Sequence, residues 1–214
     1  SESIEFTIEI NPEDVNENKV VSWSKMGVNR YSVGLQSFCD NELKSMNRKH
    51  TANQSIESVS LLQSLGSQNI SIDLIYGIPG SDILSWENNL DLAFKLKVPH
   101  ISVYQLTVEP NTSLEKSIKS GKTRLPEEEL IVNQFYLLTD MMKNNGFEHY
   151  EISSFSKPGY KSKHNSSYWS GTTYFGFGPS AHSYFKVGSD EECRMWNISN
   201  NQLYIKSINE KVIP

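Results

Sequence analysis

The sequence predicts an α/β protein: a partly closed sheet of parallel strands with helices between them over residues 1–110, followed by an α+β extension over residues 111–214. Two observations carry the first part and a third separates the second. Short apolar runs at residues 5–10, 31–36, 70–76 and 101–106 alternate with longer segments of helical spacing, the order of βαβ units. Crossover helices leave successive strands parallel. Inside the runs, side chains alternate between apolar and small or polar, so each strand presents two unlike faces. Beyond residue 110 this rhythm stops.

In the first run Phe6, Ile8 and Ile10 share one face and Glu5, Thr7 and Glu9 the other. In the second, Tyr31, Val33 and Leu35 oppose Ser32, Gly34 and Gln36. A helix over residues 53–65 then places Ile56, Val59, Leu62 and Leu65 on one stripe. The third run sets Ile70, Ile72, Leu74 and Tyr76 against Ser71, Asp73, Ile75 and Gly77, and a second helix, 83–96, aligns Trp86, Leu90, Ala93, Phe94 and Leu96. Gly27, Gly66 and Pro99 stand where helices should stop before the next strand. The fourth run is less regular: Ile101 and Val103 oppose Ser102 and Tyr104, but Gln105 and Thr107 break the rule, and its facing stays open.

Strands of a parallel sheet are usually apolar on both sides, because helices cover both. These are not. Burying a carboxylate unpaired against the helices would cost several kcal/mol, so the apolar faces must meet the helices and Glu9, Gln36 and Asp73 must point the other way. If the sheet curls, they face its interior near the carboxyl ends of the strands, where barrel enzymes hold ligands. An open antiparallel sheet with one wet side is the plain alternative, and the intervening helices argue against it.

In the extension, residues 113–119 form a short helix candidate. Pro126 and three glutamates open a longer one through Ile131, Phe135, Leu138 and Met142, which Asn144, Asn145 and Gly146 end. Residues 147–153 read as a strand, 157–167 as a loop, and 174–185 as a glycine-interrupted strand or turn. The Gly176-Phe-Gly-Pro stretch lacks the spacing of a dinucleotide fingerprint.

The composition excludes other classes. With 20 Lys+Arg against 25 Asp+Glu the net charge is -5, and no basic cluster suggests nucleic acid or an anionic membrane as a partner. No apolar run approaches a membrane span and no signal-peptide pattern opens the chain, so a cytoplasmic location is expected. Two cysteines, Cys39 and Cys193, make neither a disulfide framework nor a cysteine-rich metal site. A chain that begins with Ser1 and is already strand-like at Ile4 reads as a piece of a longer protein.

Several stretches together resemble one family. They are Phe6-Thr-Ile-Glu-Ile-Asn-Pro12, Gly27-Val-Asn-Arg-Tyr-Ser-Val-Gly-Leu-Gln-Ser-Phe38, Asn47-Arg-Lys-His-Thr51, Asn69 through Gly80, and His100 through Thr107. Later come Tyr150 through Phe155, His164-Asn-Ser-Ser-Tyr-Trp169 and Gly176 through Tyr184. In this order they are similar to the oxygen-independent coproporphyrinogen III oxidases and the related haem chaperones, within the radical S-adenosylmethionine (SAM) proteins. The His-Asn-x-x-Tyr-Trp stretch looks like the chaperone branch. The resemblance implies a partial radical SAM (β/α) barrel of which residues 4–107 supply strands three to six. The extension would then cover the barrel mouth. It also implies a 4Fe-4S cluster held by a Cys-x3-Cys-x2-Cys loop in the longer parent; that loop is absent from this sequence, so this chain alone is expected to be inactive.

By the same resemblance, S-adenosylmethionine is the cofactor. A guanidinium suits its carboxylate, which falls to Arg48. Glu9, Gln36 and Asp73 would meet the ammonium and ribose hydroxyls, Thr107 the adenine, and Ala181 and His182 the adenosyl group. His164, with Asn165 and Tyr168 beside it, is the haem-binding candidate: an imidazole in an aromatic-flanked loop can ligate iron. The function expected is oxidative decarboxylation of coproporphyrinogen III to protoporphyrinogen IX, or haem delivery. A non-catalytic haem-binding protein and an unrelated βα-barrel enzyme using Glu9 and Asp73 as acid and base remain alternatives. Expected partners are SAM and a porphyrinogen or haem, with self-association through an unpaired strand edge at residues 4–10.

Overall fold

The fold was established from a computed structural model that describes residues 4–187 and 191–213. The chain divides into two compact units, Ser1–Ser162 and Lys163–Pro214.

The first unit is built on a six-stranded sheet ordered β1-β2-β3-β4-β6-β5. β1 (Thr7–Ile10), β2 (Arg30–Gln36), β3 (Ile70–Tyr76) and β4 (His100–Gln105) are parallel, as the sequence pattern requires. Local chemistry places the helices between them. Asn16 caps α1 (Glu17–Lys25) by accepting from the Lys19 backbone N–H, and a short α2 (Asp40–Ser45) follows β2. Reciprocal capping boxes, Thr51 with Gln54 and Asp82 with Ser85, open α3 (Ala52–Ser64) and α4 (Ile83–Lys95). Gly27 and Gly66 take the left-handed backbone, φ +94° and +86°, that stops α1 and α3.

Register explains the two faces. Ile8 pairs with Tyr31, Ile10 with Val33, Val33 with Ile72, Ile72 with Ile101 and Leu74 with Val103, and this row forms the core with Val59, Leu62, Trp86 and Leu90. The opposite row runs Thr7–Arg30, Glu9–Ser32–Ser71–His100 and Asp73–Ser102. The fourth strand therefore obeys the parity through Tyr104. Phe6, expected on the apolar face, precedes β1 and is 47% exposed.

The extension differs from its expected outline. α5 (Ser113–Lys119) and α6 (Glu128–Asn144) form where expected. The expected strand 147–153 is β5 (Glu148–Glu151), and a second strand missed in the sequence, β6 (Ser154–Ser156), returns antiparallel and joins β4. A two-residue connection leaves no room for a crossover, so the return must be antiparallel. Residues 111–162 fall in the first compact unit with the sheet, which β6 joins beside β4.

The second unit holds α7 (Lys163–Trp169), an antiparallel hairpin of β7 (His182–Val187) and β8 (Glu191–Trp196), and α8 (Asn201–Asn209). α7 corrects the loop expected over 157–167; its Ser and Asn residues have modest helix propensity and no apolar period, which hid it. Of the strand expected over 174–185, Tyr174 makes only a bridge to Tyr184, and β7 begins at His182. Among the described residues, no helix is long and apolar enough to cross a membrane.

Candidate functional site

The carboxyl ends of the parallel strands gather charged and amide groups on the polar face. Asp73 on β3 pairs with Ser102 of β4, and Ser32 of β2 reaches it through its hydroxyl. The Ser32 hydroxyl donates to its two oxygens at 3.2 and 3.3 Å. Burial raises its pKa to about 6; the Glu9 carboxylate adds to this, while the Ser32 and Ser102 hydroxyls and the Arg30 guanidinium oppose it. Glu9 is exposed on β1, on the same polar face, in the register row of Ser32 and Ser71. Neither carboxylate has an ion-pair partner among the described residues. Tyr104 completes the group, its phenol pushed up by burial and then by the Asp73 charge.

Gln36 reaches the same end of β2 by an irregular route. The register slips between Val33 and Gln36, which pairs with Leu74, and Gln36 has φ +68°. The Ser37 N–H donates to the Leu35 carbonyl at 2.8 Å, closing a γ-turn of the strained, positive-φ kind around Gln36. Its amide then folds over Gly34: a Cβ there would stand 2.8 Å from Gln36 Nε2 and 3.8 Å from Asn11 Oδ1. The absence of a side chain at residue 34 makes this approach possible. Asn11 in turn accepts from Arg48 Nη1 at 3.4 Å.

Arg48 and Thr107 meet in a cavity of about 340 Å³, bordered also by Ile75, Glu109 and Ser113. Two larger hollows, of about 580 and 570 Å³, lie beside the strand starts and hold none of the expected groups. The first unit thus places Glu9 and Asp73 together on the polar face, Gln36 and Asn11 on either side of Gly34, and Arg48, which donates to Asn11, with Thr107 in one cavity. Uncompensated carboxylates beside a guanidinium and an amide suit a small ligand that carries both a cationic group and a carboxylate.

The remaining expected residues lie in the second unit. His182 on β7 faces Trp196 of β8, ring centroids 6.2 Å apart, in a hollow of about 490 Å³ with Ser180 and Asn197. His164 and Tyr168 lie one helical turn apart on α7, so the site expected in a loop is on a helix. His164 Nε2 is 3.0 Å from the Tyr168 hydroxyl, and the rings meet edge-on at 4.9 Å. Asn165 is partly buried on the same helix.

Sequence reasoning missed Ser32, Ser102 and Tyr104, which flank Asp73, and Asn11, which accepts from Arg48 beside Gly34. The alternation in the strands carried the signal for the first three. Asn11 follows the first strand, and nothing local marked its contact 37 residues away. Cys39 and Cys193 fall in different units, and no group of three His, Cys, Asp or Glu able to hold a metal occurs among the described residues. These residues do not fit a thiolate-held iron–sulfur cluster.

Residues 1–93 match the profile of the Radical SAM superfamily. Over 214 residues, all of this chain and 55% of the relative, the sequence is 37% identical to the heme chaperone HemW of Bacillus subtilis (strain 168). It is 35% identical over 178 residues to HemW of Escherichia coli (strain K12), covering 83% and 46% of the two chains. It is 33% identical over 190 residues to the mitochondrial radical S-adenosyl methionine domain-containing protein 1 of Danio rerio, covering 89% and 43%. Among solved structures, coproporphyrinogen III oxidase (HemN) of Escherichia coli, described as a radical SAM enzyme, superposes with a TM-score of 0.78 at 20% identity, covering 97% of this chain and 49% of that one. That likeness shows the fold: a partial radical SAM barrel with a mainly parallel sheet of six strands. The chain spans about half the length of the curated relatives it matches.

Proposed function

The chain belongs to the radical SAM superfamily, and on that premise we propose that the polar strand ends of its first unit bind S-adenosylmethionine, within a protein of haem metabolism that acts as a haem chaperone. The observation that carries the reading is the pair Glu9 and Asp73, two carboxylates on one face with no ion-pair partner among the described residues. S-adenosylmethionine supplies an ammonium and a sulfonium to such a pair, and its sulfonium carbon is open to one-electron cleavage.

Arg48 would take the cofactor's carboxylate, since a guanidinium can hold both oxygens. Asp73 and the Gln36 amide would take the ribose hydroxyls, Glu9 the ammonium, and Thr107 the adenine edge in the cavity shared with Arg48. Hydroxyl donors from the ribose would offset part of what burying Asp73 costs, so ligand and carboxylate stabilise each other. No step is assigned to an iron–sulfur cluster, which these residues do not hold.

The chaperone reading over the oxidase is supported by 37% identity to HemW along the whole chain, against 20% to HemN. In it, His164 ligates haem iron, with Tyr168 and Asn165 beside it. To do so it would exchange its bond to the Tyr168 hydroxyl for the metal.

Equilibrium dialysis of the chain against radiolabelled S-adenosylmethionine tests the first claim. Asp73→Ala and Arg48→Ala are each expected to weaken binding by about tenfold, about 1.4 kcal/mol; unchanged affinity in both rejects the site. Haem titration followed by absorption tests the second, and a His164→Ala spectrum identical to that of the wild type rejects His164 as the ligand.

A further inference from the structure

Three segments of the proposed cofactor site meet on one buried imidazole that the preceding reading does not use. His50 is 3% exposed. Its Nε2 lies 3.1 Å from the Leu35 carbonyl oxygen and its Nδ1 3.1 Å from Oε2 of Glu13. Leu35 precedes the γ-turn at Gln36. Glu13 lies in the 3-10 turn Pro12–Asp14, two residues after Asn11, which accepts from Arg48, and Arg48 is itself two residues before His50.

Both neighbours of the ring are acceptors. A backbone carbonyl has no proton to give, and an ionised carboxylate has none either. A neutral imidazole carries one N–H, so whichever neighbour received it, the other ring nitrogen would present its lone pair to an oxygen lone pair at 3.1 Å. That arrangement is repulsive, and at the Leu35 side, where the ring is buried, solvent does not relieve it; Glu13, at the other end, keeps partial access to water. One more proton, shared between Nδ1 and Oε2, removes the conflict: both ring nitrogens then donate, one to Leu35 and one to Glu13.

We propose that His50 is a positioning residue for the cofactor site, held by Glu13 with a proton on each ring nitrogen. Its Nε2–H is the second donor on the carbonyl that also accepts from Ser37, so it fixes the peptide plane on which the positive φ of Gln36 depends. A left-handed backbone at a residue with a side chain persists only where its surroundings hold it, and here the hold comes from a residue fourteen positions further along the chain. Through Glu13 and the adjoining Asn47–Arg48 turn, the same ring sets Asn11 and Arg48 against Gln36. His50 touches no ligand in this account and acts only through these neighbours. The proposal rests on the S-adenosylmethionine reading for its functional consequence but not for its geometry.

Two measurements on the full chain separate the two claims. In the ligand-free protein, ring-selective 15N NMR should show both His50 nitrogens protonated, and Glu13→Gln, which can accept from Nδ1–H without the extra proton's charge, should change that signature while leaving the far-UV circular dichroism spectrum unaltered. A bare ring nitrogen in the wild-type protein overturns the proposal whether or not any ligand binds. In the second measurement, His50→Ala should shift the Gln36 side-chain amide resonances and weaken S-adenosylmethionine binding at least about fivefold, with His50→Gln, which keeps a donor toward Leu35, recovering most of both. Unmoved Gln36 resonances in a folded His50→Ala protein overturn it as well. If His50→Ala does not fold, the wild-type and Glu13→Gln spectra decide alone. If wild-type protein shows the expected ring protons yet binds no S-adenosylmethionine, the positioning geometry stands and the cofactor reading falls.

Discussion

The two ends of one sheet face do opposite things with the same residue pattern. At the strand starts, His100 is fully buried and its ring is closed between two hydroxyls, Ser71 at 2.7 Å and Tyr150 at 2.7 Å, and Tyr150 accepts from the Ser162 N–H at 3.2 Å. Burial, with Arg30 nearby, lowers the His100 pKa to about 3, so the ring is neutral and each nitrogen has a complementary partner. Toward the strand ends, Asp73 stands two residues beyond Ser71 on β3, and Glu9 stands near the end of the edge strand β1; among the described residues neither has an ion-pair partner, and burial pushes Asp73 up to about 6. Parity put both sets on one face. What separates a polar core from a candidate binding site is whether the partners are already present.

If the strand starts are a finished core, removing a member should cost stability and nothing else. His100→Ala leaves the Ser71 and Tyr150 hydroxyls without their partner and opens a void, an expected loss of roughly 2–4 kcal/mol in urea unfolding. At temperatures where the variant stays folded, its affinity for S-adenosylmethionine should match the wild type. A weakened affinity would break the contrast, because the two ends would then be coupled. The wild-type protein carries a related pH signature. A folded pKa below the unfolded one means the unfolded state binds more protons, so the contribution of His100 is complete above about 6.5 and fades as the pH falls from there toward about 3.

At the strand ends the sign should reverse. Asp73 has a folded pKa above its unfolded value of 3.8, so its charged form is disfavoured by folding; the penalty is complete above about 6 and disappears as the pH falls from there toward 3.8. Asp73→Asn should therefore stabilise the ligand-free chain at pH 7–8 by about 1–2 kcal/mol, once partial exposure is discounted. The gain should vanish near pH 4. Chemical denaturation at several pH values measures it, and a loss of stability at pH 8 would show that Asp73 is a satisfied core residue like His100.

The parity behind this contrast was legible in the sequence because it is local: strands with Ser32, Ser71, Asp73 and Ser102 alternating with Tyr31, Ile70, Ile72 and Ile101 announce two faces before any register is known. Helix ends were legible for the same reason, since Thr51 with Gln54 and Asp82 with Ser85 act within three residues. What the pattern did not contain was anything made across the chain. Alternation alone cannot show that β6 would pair with β4 across 52 residues, that α7 would form from Ser and Asn, or that the parity of β2 would slip at Gln36. The His50 ring stands in the recognised Asn-Arg-Lys-His stretch, yet its acceptors come from residues 13 and 35, so its role had no local signal.

Gln36 offers the finest division between the two ends, because it is a site residue carrying backbone strain. The positive φ that turns its amide over Gly34 is costly for any residue with a Cβ and free for glycine. Gln36→Gly should relieve that strain, offset in part by the greater freedom of glycine in the unfolded chain, for a net gain of a few tenths of a kcal/mol up to about 1. It also removes the amide, so S-adenosylmethionine affinity should fall severalfold while stability rises or holds. Urea midpoints and dialysis on the same preparations give both numbers. Stability and affinity falling together would mean that the Gln36 side chain serves the fold as the His100 ring does, and the line between finished core and open site would have to be drawn further out, between Gln36 and Arg48.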